Sequence, residues 1–343
     1  MSVDVPNPST ESAADGLAAR LQAAMPKLED IRILRRLTGG SSHETWAFDA
    51  RVLDLDPRDH VPLILRREFD HALFDMSLGT EFELLSRLHK SGLPVPRPLF
   101  QAGRNTALGS PFMIIERIAG LDTRKVMAAD GEADRRKIGK SLVAALARLH
   151  AQQATLIADL IPYDGRDAPA RELAKWRMVI ADSDDRSATL RIAIQWLETN
   201  SFTVERPVIV HGDYKANNIL LKAGTEPVII DWELAHIGDP VEDLAWTMLW
   251  TSPDDLVEGM MAPDEFLAEY EQQTGTSVNR RRLLFWKIFS LVKLAAIFLK
   301  GLEKQPSGVA PRPTLLMLGQ AVPCIEQAIA DLLLRELEGS VAI

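Results

Sequence analysis

Residues 207–233 read PVIVHGDYKANNILLKAGTEPVIIDWE, one compact β-rich island in a chain half that otherwise has the texture of helix. Two short apolar runs, Ile219-Leu220-Leu221 and Val228-Ile229-Ile230, flank the Gly-bearing turn Ala223-Gly224-Thr225-Glu226, which predicts a β-hairpin. With the turn centred between Gly224 and Thr225, Asn218 and Asp231 face one another at its open end, their Cβ atoms about 5 Å apart. An amide oxygen and a carboxylate at that spacing suit one hard divalent cation such as Mg²⁺, which fills its other positions with phosphate and water. Asp213 lies five residues before Asn218, on the tight loop leaving the run PVIV, so its carboxylate reaches the same cavity. A carboxylate that binds no metal can take a proton from a hydroxyl nucleophile. Base, amide ligand and carboxylate ligand together make the polar apparatus of phosphoryl transfer. Each residue alone has a plainer reading, because Asp forms tight turns and Asn caps loops. The joint pattern His-x-Asp-x4-Asn, one apolar run, then an apolar-apolar-Asp step is demanding.

The chain around this island has 343 residues, 46% hydrophobic and 25% charged, enough for a sizeable core and for two lobes. Its 39 Lys+Arg against 48 Asp+Glu give a net charge of -9, the wrong sign for general affinity to nucleic acid or an anionic membrane. The acid excess lies mostly in the second lobe and reads as a solvated face more readily than as a site for a cation. The single Cys324 can form neither an internal disulfide nor a Cys-built zinc site, and suits a reducing compartment. The opening MSVDVPNPSTESAADG lacks the basic and apolar regions of an export signal. The longest apolar stretch, IFSLVKLAAIFL at 288–299, is too short for a span and contains Lys293. A cytoplasmic protein with no nucleic-acid or membrane partner is expected; oligomeric state has no signature.

Residues 1–14 read as a flexible tail, followed by a short helix over 16–25 with Leu17, Leu21 and Met25 on one face. Strands are expected at 31–37, 44–48, 62–68 and 111–118, with a helix over 76–90 between the third and fourth. This describes a small α+β lobe over 15–118. From 119 to 343 the chain is mostly helical. Leu142, Leu146 and Leu149 mark one helix, and others are expected near 168–182, 186–199, 241–250, 263–273, 280–302 and 314–337.

HGDYKANNILL and IIDWELAHIGDPVEDLAW resemble the two hallmark segments of the aminoglycoside phosphotransferase-like family, relatives of protein kinases and choline kinases. The second string, with Asp-Trp-Glu, Gly-Asp-Pro and Asp-Leu-Ala-Trp, is especially similar to the subgroup fused to acyl-CoA dehydrogenases. The resemblance runs from about residue 30 to at least 300. It implies a two-lobed protein-kinase-like fold of the α+β class, with a small antiparallel-sheet lobe and a larger, mainly helical one. It also implies ATP as phosphoryl donor, with GTP not distinguished from it, and Mg²⁺ as cofactor. By this resemblance Asp213 is the catalytic base, and Asn218 and Asp231 hold the metal. His211 braces the catalytic loop, Asp243 ties down its backbone, and Asp239 forms the turn before Pro240.

A kinase-like site also needs a Gly-bearing turn over the phosphates, a cation on a following strand and a helical carboxylate to pair with it. Thr38-Gly39-Gly40-Ser41-Ser42 supplies the turn, with Gly40, Ser41 and Ser42 offering N–H groups and hydroxyls. Arg66 stands where such a fold carries Lys, as in the Leu-Arg-Arg version of the dehydrogenase-associated subgroup. Strand alternation decides between Arg66 and Arg67, and Arg66 is favoured. Glu81 is the expected partner and Glu83 the alternative, on a different side of the helix. Glu116 and Ile118 correspond to a hinge that contacts the nucleotide base through backbone atoms.

Other readings fail. Ile138-Gly139-Lys140-Ser141 is no P-loop, since Asp134 stands where Walker A requires Gly. The seven histidines lack metal spacing, and neither a Gly-x-Ser-x-Gly elbow nor a dinucleotide fingerprint occurs. The expected activity is ATP- or GTP- and Mg-dependent transfer of the γ-phosphoryl group to a hydroxyl of a small molecule. The acceptor is expected to be a hydroxylated metabolite or hydroxyacyl compound rather than an aminoglycoside. Trp176, Arg177, Trp250, Trp286, Lys287 and Lys293 are acceptor-side candidates by residue type only. The alternative is a catalytically silent kinase-like binding or regulatory protein.

Overall fold

The computed structural model describes residues 8–37, 43–55, 59–68, 76–123, 131–161, 163–184, 187–250, 255–303 and 313–339. In chain order the first elements are α1 (Pro8–Ala24), β1 (Leu28–Leu37), β2 (His43–Val52), β3 (His60–Glu68), α2 (Leu78–Lys90), β4 (Pro98–Ala102), β5 (Phe112–Glu116) and β6 (Gly120–Asp122). Then follow α3 (Glu132–His150), α4 (Ala168–Asp184), α5 (Ala188–Thr199), β7 (Val208–Val210), β8 (Ile219–Lys222), β9 (Glu226–Ile229) and β10 (His236–Gly238). Helices α6 (Pro240–Thr247), α7 (Pro263–Thr274), α8 (Arg280–Glu303) and α9 (Pro313–Leu337) complete the series. They divide into two compact units. One takes the chain to Asp122 together with Ile219–Leu234; the other takes Thr123–Asn218 and Ala235–Ile343.

Period-two alternation builds the first unit. Trp46, Phe48, Ala50 and Val52 of β2 and Leu63 and Leu65 of β3 fall on one face, with Trp46 opposite Leu65 and Phe48 opposite Leu63. Leu17 and Leu21 of α1 close over that face, so the core of this unit lies between helix and sheet. The sheet is antiparallel, in the order β1-β2-β3-β5-β4. The same alternation turns Arg66 to the face opposite Leu65. Helix α2 is capped by Ser77, whose hydroxyl accepts the Thr80 N–H at 3.1 Å, and it buries Leu78, Glu81, Leu84, Leu85 and Leu88. Glu81 is thus a carboxylate set within an apolar stripe. Helix α1 starts at Pro8, earlier than the 16 expected from apolar spacing. Proline suits a first helical turn, and the polar turns before Leu17 need no apolar face to be helical.

The second sheet of this unit has the order β6-β8-β9, and its β8–β9 hairpin corrects one expectation. Ile219 pairs with Ile229 and Lys222 with Glu226, so the loop is centred on Gly224 and not between Gly224 and Thr225. The register argument that set Asn218 opposite Asp231 therefore does not hold. The cause is local. Thr225 N–H donates to Lys222 O at 3.2 Å while Ala223 and Gly224 take φ of 49° and 81°, a mirror-image turn that leaves three residues in the loop.

In the second unit β7 pairs antiparallel with the short β10, and helices α3 to α9 make up most of the rest. Helix α6 ends at Thr247, short of the expected 250, with Met248 as its C-cap. Among the described residues no helix is long and apolar enough to cross a membrane.

Two glycines with positive φ test the packing of this unit. A Cβ on Gly165 (φ 80°) would lie 2.6 Å from Ile237 Cγ2 and 2.7 Å from Pro207 Cβ, whereas one on Gly275 (φ 67°), the C-cap of α7, meets nothing within 4 Å. Gly275→Ala should cost only the left-handed strain, about 1 kcal/mol. Gly165→Ala adds overpacking and should cost about 3 kcal/mol in all. Denaturant midpoints of the two variants check this; equal losses would mean that the strand pair relaxes around the methyl group.

Candidate active site

Within the second unit, the loop after β7 is built around one buried carboxylate. Asp243, on α6 and 0% exposed, accepts the His211 N–H through Oδ2 and the Gly212 N–H through Oδ1, both at 2.8 Å. Gly212 has φ of 77°, a conformation that a residue with a Cβ adopts only under strain. His150 Nε2 lies 3.1 Å from Asp243 Oδ2, and His150 Nδ1 lies 2.7 Å from the Tyr270 hydroxyl. Burial alone would raise the Asp243 carboxyl. The hydrogen bond and electrostatic pull of His150, the pull of His211 and the His211 N–H outweigh it, and the pKa ends below the ordinary range. His211 is itself fully buried, and its Nδ1 accepts the Asp213 N–H at 3.2 Å.

This bracing presents Asp213. Its Oδ1 accepts from Trp246 Nε1 at 2.7 Å and from Lys215 Nζ at 2.9 Å, and its Oδ2 accepts from Asn218 Nδ2 at 2.7 Å. Asn218 Nδ2 also donates to Asp213 O at 3.0 Å, so the amide orientation is set by two acceptors and its Oδ1 faces away from them. Lys215 Nζ lies 5.1 Å from the Trp250 ring centre. Lys293, 1% exposed on α8, donates to Gly212 O at 2.6 Å and to Glu242 Oε1 at 3.3 Å, and sits over the Trp246 ring at 4.6 Å. Asp239 is the N-cap of α6: it accepts from Val241 N–H and Trp286 Nε1, each at 3.1 Å, and burial raises its pKa. A cleft of about 590 Å³ lined by Tyr163, Asp164, Arg166, Asp167 and Thr203 also belongs to this unit and contains none of these groups.

The first unit holds a second polar cluster, centred on Arg66. Its Nη1 donates to Glu81, and its Nη2 lies 3.0 Å from His43 Nδ1, 3.5 Å from Asp231 Oδ1 and 4.0 Å from Glu233 Oε2. Burial opposes the Arg66 charge, but Glu81, Asp231 and Glu233 more than restore it, so the guanidinium stays protonated. Burial pushes the Glu81 carboxyl upward against the pull of Arg66, and Glu81 also accepts the Trp232 N–H. His43 is driven down to about 3 by burial and by the neighbouring Arg66 charge, so its ring is neutral. Asp231 has φ of 68°, a left-handed backbone that Asp tolerates better than most residues and that is common where a site holds strain. Arg67 instead pairs with Glu44, and Glu83 accepts from Gln101 Nε2 at 3.2 Å.

Gly40, Ser41 and Ser42 lie outside the described residues. Glu116 ends β5, and its N–H is already taken by Arg97 O at 2.8 Å, as the Arg117 N–H is by Pro62 O at 3.0 Å. The Glu116 N–H is therefore not available to a further acceptor. Ile118 is half-buried beside Gly120. Among the described residues, no group of three or more His, Cys, Asp or Glu side chains is disposed to hold a metal ion. Asn218, in the second unit, and Asp231, in the first, each carry an oxygen of the hard type that Mg²⁺ takes. Sequence reasoning missed His43, Glu233, His150 and the bracing role of Lys293. Lys293 alone left a signal, as a charge inside an apolar helical run.

Asp243→Asn removes the ionised acceptor beneath the loop and should cost about 3 kcal/mol at pH 7. Because the folded pKa is depressed, this stabilisation is complete above the unfolded carboxylate range near 3.9 and is lost as pH falls below it. The stability gap between wild type and Asp243→Asn should therefore narrow from pH 7 to pH 3 in urea titrations. A constant gap would deny the carboxylate this role.

Residues 33–286 match the sequence profile described as "Phosphotransferase enzyme family". Mouse acyl-CoA dehydrogenase family member 10 is 28% identical over 195 residues, covering 54% of this chain and 18% of that protein. Rat acyl-CoA dehydrogenase family member 11 is 26% identical over 237 residues, covering 64% and 30%. The chain thus spans less than a third of these relatives. Among solved structures, a candidate aminoglycoside phosphotransferase of Ralstonia eutropha superposes with a TM-score of 0.70 at 18% identity, over 93% of this chain and 97% of that one. APH(2")-IIIa in its GDP and kanamycin complex gives 0.62 at 16% identity over 92% and 98%, and choline kinase LicA of Streptococcus pneumoniae 0.57 at 16% over 92% and 99%. The antiparallel sheet of the first unit and the helices of the second are a kinase-like fold, and with the profile matched over most of its length the chain belongs to the phosphotransferase enzyme family.

Proposed function

We propose that this protein is a small-molecule kinase that transfers the γ-phosphoryl group of ATP, or of GTP, to a hydroxyl acceptor. The observation that carries the reading is the Asp213 carboxylate, whose two oxygens are oriented by Trp246, Lys215 and Asn218 on a loop braced from beneath. A carboxylate so held can receive the hydroxyl proton as the acceptor oxygen attacks phosphorus. The new O–P bond forms as the bond to the departing nucleoside diphosphate breaks, and the proton ends on Asp213.

Asn218 and Asp231 would hold Mg²⁺, which when bound neutralises charge on the phosphates. Arg66, kept charged and oriented by Glu81, binds phosphate oxygens. Gly40, Ser41 and Ser42 are the proposed source of N–H groups and hydroxyls for the phosphates. The Glu116 carbonyl and the backbone of Ile118 meet the base. His211, Asp239 and Asp243 support the loop. In this reading residues 15–118 are the nucleotide lobe, and 119–343 carry the catalytic loop and the acceptor site.

A hydroxylated metabolite or hydroxyacyl compound is the acceptor we favour over an aminoglycoside. Support comes from the relatives, which are named for acyl-CoA dehydrogenases, and from a choline kinase among the structural neighbours. A nucleotide donor is supported by a neighbour crystallised with GDP. We place the enzyme in the cytoplasm.

Asp213→Asn should reduce phosphoryl transfer by at least about a thousandfold while changing Mg-nucleotide affinity by less than about threefold. Screening of hydroxylated acceptors with wild type, followed by kinetics of the variant, checks the first figure, and near-normal turnover would remove Asp213 as base. Asp231→Ala should abolish the metal-dependent part of ATP binding in calorimetry with and without Mg²⁺. Equal affinity in wild type and variant with metal present would withdraw Asp231 as a ligand.

A further inference from the structure

Arg66 has more holders than an ion pair requires. The Glu81 carboxylate on Nη1 would serve a lysine equally well. Three further groups address the other terminal nitrogen: His43 Nδ1 at 3.0 Å, Asp231 Oδ1 at 3.5 Å and Glu233 Oε2 at 4.0 Å. His43 and Glu233 are themselves 3.5 Å apart and almost enclosed, with side chains 5% and 12% exposed. An ammonium is a point charge with three rotating donors. A guanidinium is a plane with five donors in fixed directions, and its usefulness to a phosphate depends on where that plane lies. A single carboxylate on Nη1 leaves the plane free to turn about the Nη1–carboxylate contact. A close acceptor on Nη2 removes that freedom, and His43 Nδ1 at 3.0 Å holds this nitrogen more tightly than Asp231 Oδ1 at 3.5 Å. His43 can be this acceptor because its neutral ring presents a bare Nδ1. It occupies the first position of β2, in the same sheet as Arg66, with its neighbour Glu44 opposite Arg67 in the ladder.

We propose that His43 is a positioning residue that fixes the plane of the Arg66 guanidinium for the nucleotide phosphates. This rests on the reading of Arg66 as the phosphate cation. On that basis His43 matters only while residue 66 is an arginine. The acceptor atom also matters more than the ring: Asn places Oδ1 two bonds from Cβ, where His places Nδ1, whereas Gln sets its amide oxygen one bond further out.

The test is Mg-ATP affinity by calorimetry, with the thermal midpoint of each variant measured alongside. His43→Leu should weaken binding about tenfold, the loss of one hydrogen bond to a charged group. His43→Asn should stay within about threefold of wild type. In an Arg66→Lys background, His43→Leu should change affinity by less than about twofold, because the nitrogen it oriented is gone. A purely structural histidine would give the same loss in both backgrounds and no rescue by asparagine, and either result overturns the proposal. Should His43→Leu not fold, His43→Gln against His43→Asn decides: about fivefold weaker binding for Gln supports the proposal, and equal affinity overturns it. Wild type binding Mg-ATP with His43→Leu unaffected sinks this inference alone. Wild type binding no Mg-nucleotide removes the kinase reading and this inference with it.

Discussion

A carboxylate without solvent, Asp243, holds two consecutive backbone N–H groups, and the architecture of the second unit converges on that contact. An ionised group in such a place is costly unless every lone pair is used. Here the His211 and Gly212 amides and the His150 ring take three of about four such sites, and Tyr270 steadies His150 from behind. Asp239 caps the same helix four residues earlier, so α6 delivers both the brace under the loop and, one turn further on, the Trp246 indole that orients Asp213. One short helix thus sets the position of Asp213 and the direction of its oxygens.

Lys293 closes this arrangement from the other side. Its ammonium lies on the face of the Trp246 ring and donates to the Gly212 carbonyl, so the N–H and C=O of Gly212 are both held by buried charges of opposite sign. Glu242 takes the remaining charge of Lys293 and is bonded in turn to His236 at 3.0 Å. A buried ionic network of this kind is a poor source of net stability compared with hydrocarbon of equal volume. What it provides is geometry, because each member has only one arrangement in which all its partners are satisfied.

The first unit solves a different problem with similar means. Its cation must stay charged inside an apolar lobe, and three carboxylates around Arg66 achieve this. Arginine in place of lysine brings additional donors, and each needs an acceptor if it is buried. For Nη2, His43 at 3.0 Å and Asp231 at 3.5 Å meet that need. The Arg66 cluster and the Asp213 loop are therefore each assembled within a single compact unit, and each rests on a charge that its own unit neutralises.

Much of this is legible from spacing alone. Period-two alternation in β3 tells Arg66 from Arg67, since only one of two adjacent strand residues can share the face of Glu81. Helical spacing places Glu81 within the buried stripe of α2, which separates it from Glu83. The motif His-x-Asp-x4-Asn keeps carboxylate and amide on one loop, so that Asn218 can reach Asp213 through local chain geometry. Those are short-range constraints, and the sequence by itself determines them. The hairpin register was decided by a single backbone choice, positive φ at Ala223 as well as Gly224, which no residue pattern required. Tertiary structure alone decided that His43 meets Arg66 across 23 positions, that Lys293 reaches Gly212 across 81, and that His150 reaches Asp243 across 93. Such contacts depend on how whole elements pack, and a buried histidine or lysine reveals its partner only when the chain has closed around it.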